Sequence, residues 1–114
     1  MKRFTHLKIE GKDFSTSKEI VYQLSLTPFS WILDCELENV SLEIKDNILY
    51  FNSGIFYWGY WKWGVFKSGE FRSGTWNGGI FLDGLFKGIF ENGVFKKGTF
   101  KGKKIAGEFP NEKI

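Results

Sequence analysis

The sequence predicts a mainly β protein: a short β-solenoid built from a five-residue repeat, preceded by a small α+β cap. Three observations carry this reading. Residues 54–101 run in one frame: GIFYW, GYWKW, GVFKS, GEFRS, GTWNG, GIFLD, GLFK, GIFEN, GVFKK, GTFK. Glycine opens every unit, and Phe56, Trp61, Phe66, Phe71, Trp76, Phe81, Phe86, Phe90, Phe95 and Phe100 hold the third place. Composition agrees, with thirteen Phe, five Trp, four Tyr and fourteen Gly but two Pro in 114 residues. A period this short makes each unit one piece of extended chain. It buries its ring only against neighbouring copies.

Before the repeat, the pattern changes from strand to helix to strand. Residues 2–10 alternate, with Leu7 and Ile9 facing one way and His6, Lys8 and Glu10 the other; Gly11 ends this strand. Thr16 and Glu19 have capping-box spacing, and Ile20, Val21 and Leu24 share one helical face. This predicts a helix over about residues 17–25, stopped by Pro28. From Trp31 to Phe51 the signal is strand again, with Asp34, Glu36 and Glu38 alternating with Leu33, Cys35 and Leu37. Asp46-Asn47 marks a turn. Cys35/Leu37 and Val40/Leu42 already beat in steps of five, in another frame from the glycines. The division is therefore a cap over 1–30, transition strands over 31–53, repeats over 54–109 and a tail over 110–114. Two tetrads, 84–87 and 98–101, drop a residue each. Gly102 opens a degenerate unit with Lys104 in the aromatic place, and Gly107-Glu-Phe109 is a last echo before Pro110. Atypical end units are expected, because a regular one leaves an edge open to pairing.

Within an extended Gly-x-Phe triplet the first and third residues share a face and the second points away. The second place is mostly β-branched or apolar, which suits strand. The fourth and fifth places turn polar from Lys67 onward and include the turn dipeptides Asn77-Gly78 and Asp83-Gly84. Two architectures fit. Each pentad is one side of a four-sided, right-handed coil with the rings stacked inside, or a short strand and turn in a meandering single-layer sheet. The unit resembles that of pentapeptide-repeat proteins, which implies a quadrilateral β-solenoid with Gly in the small place and Phe or Trp in the large one. The Gly-x-Trp-x-x-Gly run also resembles MORN-type repeats, which implies hairpins in an open sheet. The strict five-step aromatic favours the coil, with four pentads per turn and about three turns at ~4.8 Å each.

No stretch approaches the ~20 apolar residues of a membrane span. Charges interrupt the first residues too early for a secretory signal. Cys35 is the only cysteine and His6 the only histidine, so no intrachain disulfide, metal cluster or catalytic triad assembles from them. A reducing, cytoplasmic setting follows. Periodic glycines with no following helix are not a phosphate loop. The expectation is thus a protein without catalytic residues, metal, cofactor or small-molecule substrate.

What remains is binding. Tyr57, Trp58, Tyr60 and Trp63 are aromatics at nominally outward places, and such residues anchor interfaces. Val65, Ile80, Ile89 and Val94 form an outward apolar stripe that a free monomer hardly exposes. Both sets point to a protein partner or to a second copy of the chain in a homo-oligomer. Charge points elsewhere. Residues 1–53 carry six Lys/Arg against eight Asp/Glu, a net of −2; residues 54–114 carry ten against five, a net of +5. Lys96, Lys97, Lys101, Lys103 and Lys104 supply most of the excess. They make nucleic-acid binding the alternative to a protein–protein interaction or assembly module. Small repeat-bearing chains of this kind also resemble bacteriophage accessory proteins, which implies a place in the virion or an action on a host protein.

Overall fold

The structure, a computed structural model, describes residues 2–111. β1 (Phe4–Ile9) turns at Glu10-Gly11 into β2 (Lys12–Phe14), its antiparallel neighbour. Helix α1 spans Ser17–Ser25, as the capping-box spacing predicts, and Thr16 Oγ1 accepts the Glu19 amide at 3.3 Å. Ile20 and Leu24 bury its inner face. The strand expected from Trp31 begins later, because Ser30–Asp34 forms a 3₁₀ turn. β3 (Glu36–Lys45) and β4 (Ile48–Trp58) then pair antiparallel through the Asp46-Asn47 turn, where both residues have positive φ. β1 lies parallel to β3. The five-step rhythm of 35–42 therefore belongs to an antiparallel strand and not to the coil.

β4 is where the sheet becomes a solenoid. Its Tyr50-Phe51 pairs in parallel with Val65-Phe66, and its Ile55-Phe56 with Glu70-Phe71. Every later pentad stacks in the same way on the unit three places before it. The coil thus has three sides rather than four, about fifteen residues per turn and about four turns. The repeat strands pair with one another in parallel, so they do not form a meander of hairpins.

Ring packing explains the count. Within one turn Phe66, Phe71 and Trp76 lie edge to face at centroid separations of 6.3, 5.9 and 6.2 Å, each touching the other two. Four such rings around an axis would leave the diagonal pair out of contact and a void between them. Along the axis the rings form three ladders. The first runs Phe51, Phe66, Phe81, Phe95; the second Phe56, Phe71, Phe86, Phe100; the third Trp61, Trp76, Phe90. Steps within ladders start at 4.2 Å, near the spacing of hydrogen-bonded strands, because the backbone sets it. From Phe51 to Phe90 these rings have no solvent exposure.

Glycine makes the corners possible. At Gly74, φ is +98° and a Cβ would lie 2.2 Å from the Gly59 carbonyl oxygen one turn above. Successive turns touch backbone to backbone there. The cap closes the upper end. Trp31 lies edge-on to Trp61 at 5.3 Å, and β3 covers β4 across two sides of the first turn. At the lower end Phe109 stacks on Phe95 at 5.2 Å and meets Phe100 edge-on at 5.0 Å, so the last echo in the sequence is a plug.

Candidate binding groove

Each side of the coil carries one column of second-place residues, and each corner one column of fifth-place residues. The first side bears Tyr50, Val65, Ile80 and Val94; the second Ile55, Glu70, Leu85 and Thr99; the third Tyr60, Thr75, Ile89 and Lys103. The expected apolar stripe is therefore divided. Val65, Ile80 and Val94 stack half-buried on one side, while Ile89 is 40% exposed on another. The second place fixes only that a residue points outward, and the number of sides decides which of these residues share a column.

The aromatic cluster also divides. The Tyr57 hydroxyl donates to Glu38 Oε2 at 2.8 Å, and that bond holds the phenol above its usual pKa range. The Arg72 guanidinium lies over the Tyr57 ring at 4.8 Å and pairs with Glu70 at 2.6 Å. Tyr57 thus ties β3 to the coil. Trp58, Tyr60 and Trp63 stay 58%, 46% and 49% exposed. Trp63 stands at the corner between the third and first sides, above a shallow trench with Asn77 and Asn92.

Trp58 and Tyr60 flank the corner between the second and third sides, and this corner differs from the others. Both tetrads fall on it, so Lys87 and Lys101 are one-residue corners beneath the two-residue corners Tyr57-Trp58 and Arg72-Ser73. Below this point the register shortens from fifteen residues to fourteen, as in Ile89↔Thr75. Gly88 and Gly102, which follow the short corners, are not among the positive-φ glycines, unlike Gly59 and Gly74 above them. Close approach still requires glycine there: a Cβ on Gly102 would lie 2.2 Å from the Gly88 oxygen.

The result is an open groove of about 780 Å³ running down the coil. Its floor is the bare glycine backbone at 59, 74, 88 and 102. One bank carries Trp58, Ser73, Lys87 and Lys101; the other Tyr60, Thr75, Ile89 and Lys103. Asp34, on the 3₁₀ turn, stands at the upper end. Two residue sets that the sequence separates, an aromatic one and a basic one, therefore meet in one place. Lys87 escapes a reading by sequence alone, although the tetrads, fourteen residues apart, are the signal for it.

The other expected lysines lie elsewhere. Lys96 and Lys97 are on the corner between the first and second sides, with Lys97 Nζ 4.0 Å from Asp83. Lys104 takes an aromatic place in the open last turn and lays its ammonium over Phe109 at 4.3 Å. Cys35 is buried against Gly59, with its Sγ 3.8 Å from the Tyr60 carbonyl oxygen; burial pushes its pKa up to about 11. His6 pairs with Asp13 at 2.6 Å on the cap. Among the described residues no three His, Cys, Asp or Glu side chains gather as a metal site, and no helix is long and apolar enough to cross a membrane. Compared with protein-family models, curated proteins and solved structures, the chain matches none.

Proposed function

We propose that this chain is a non-catalytic binding module whose glycine-floored groove takes an extended, anionic segment of a macromolecular partner. One observation carries the reading: Trp58 and Tyr60 stand exposed at the head of a groove whose lower banks bear Lys87, Lys101 and Lys103. A rigid coil holds both groups at fixed spacing, so little side-chain order is lost on binding beyond the lysines themselves. The divided apolar stripe favours this groove over a flat apolar interface between copies. A buried, unpaired thiol suits a cytoplasmic setting. The five-residue unit supports kinship with pentapeptide-repeat proteins, as a three-sided variant.

The test uses the full chain with poly-L-glutamate and heparin as anionic probes. Binding is followed by tryptophan fluorescence at low salt. Wild type binds one or both, and Lys101→Glu with Lys103→Glu abolishes binding while leaving the circular dichroism unchanged. Probe affinity unaltered by the double substitution would place the anion site outside the groove.

A further inference from the structure

We infer that the segment bound in the groove is a single-stranded nucleic acid. This rests on the groove reading above and names its partner. Three features favour it over an acidic polypeptide. First, Trp58 and Tyr60 are the exposed rings at the head of the groove, on opposite banks, where an unpaired base can lie against either ring. An acidic peptide needs no such ring. Second, Lys87 and Lys101 stack on successive turns, one hydrogen-bonded strand spacing apart, and Lys103 faces them across the floor. Three cations along the two banks, against Asp34 alone at the far end, suit a phosphate backbone lying between them. Third, the floor is backbone with no side chain above it, so a thin flexible polymer reaches it. The groove is one corner wide, and a duplex keeps its base faces stacked inside, away from Trp58.

The arrangement divides labour. The lysines neutralise phosphates without reading sequence, and the rings take any base. Binding is therefore tolerant of sequence and sensitive to salt. Three neutralised phosphates on a single strand give a log–log salt slope of about −2. Affinity then falls roughly 18-fold between 50 and 200 mM salt.

The experiment measures anisotropy of a short fluorescein-labelled oligothymidylate with the full chain, beside unlabelled poly-L-glutamate as competitor. Wild type binds the oligonucleotide, quenches tryptophan emission and shows the slope of about −2. Trp58→Ala weakens binding about tenfold and removes most of the quenching. Lys101→Glu with Lys103→Glu abolishes binding. Lys96→Glu with Lys97→Glu, on the corner between the first and second sides, changes affinity less than threefold. Oligothymidylate affinity that ignores Trp58→Ala overturns the inference, as does binding of poly-L-glutamate alone; in the latter case the groove still binds anions. Binding of neither probe overturns the inference, and the groove reading falls with it when heparin also fails to bind.

Discussion

Removing one ring from the middle of a ladder tests the architecture directly. Phe86 is fully buried, stacked between Phe71 at 4.7 Å and Phe100 at 5.3 Å, with Phe81 and Phe90 edge-on at 5.5 and 5.3 Å. Phe86→Ala loses the transfer energy of the ring and leaves a cavity that stacked backbones cannot close. That costs ~3–5 kcal/mol. Phe100 belongs to the same ladder one turn lower, half-buried in the open last turn. Its neighbours are Phe86, Phe90, Phe95 and Phe109, with no further turn beneath. Phe100→Ala should cost ~1–2 kcal/mol, since part of the ring already faces water and the end can relax. Urea denaturation followed by dichroism reads both. With a slope of ~1–3 kcal/mol/M, Phe86→Ala shifts the midpoint by about 1–5 M, or unfolds the chain outright. Equal losses at the two positions, or a loss below ~1 kcal/mol at Phe86, would refute the three-ladder core.

The two stacked tryptophans should respond in opposite ways to Phe. Trp61 Nε1 donates to the Gly78 carbonyl at 3.2 Å, whereas Trp76 Nε1 is buried without a partner, so Trp61→Phe should destabilise and Trp76→Phe should be neutral or stabilising, a gap of ~1–3 kcal/mol by urea denaturation. Cys35 should resist thiol reagents at neutral pH until the chain unfolds, as read by reaction rate with and without urea. Its folded pKa, raised by burial from 9.0 to about 11, means its contribution to stability is intact below pH 9 and is lost as pH rises toward 11. A Cys35→Ser reference should lack that alkaline loss. Inserting one serine after Lys87 restores a two-residue corner, so the fold should persist by dichroism while probe binding weakens as the groove fills.

The local signals were legible because they are local. The Thr16/Glu19 spacing gave the helix, Asp46-Asn47 the turn, and the aromatic beat the buried places. The number of sides was not legible from any one unit, since a pentad makes the same strand and corner in a triangle or a square. It depends on how many rings close around an axis, a property of Phe66, Phe71 and Trp76 together. Only three units per turn bring Val65, Ile80 and Val94 into one column without Ile89, and set Trp58 on one corner with Lys101. The tetrads held the answer. Dropped residues fourteen apart coincide at one corner only if three units make a turn.

The β3–β4 hairpin has a kinetic consequence. β3 and β4 make a hairpin that closes over two residues, and β4 already carries the first two sides of the coil. Each later turn needs only the turn before it as a template, a loop of about fifteen residues at a time. The costly step is thus the first, and the chain then winds downward from a seed made early in its own length. Lesions in that hairpin should slow folding, and lesions in the last turn should mainly speed unwinding from the lower end.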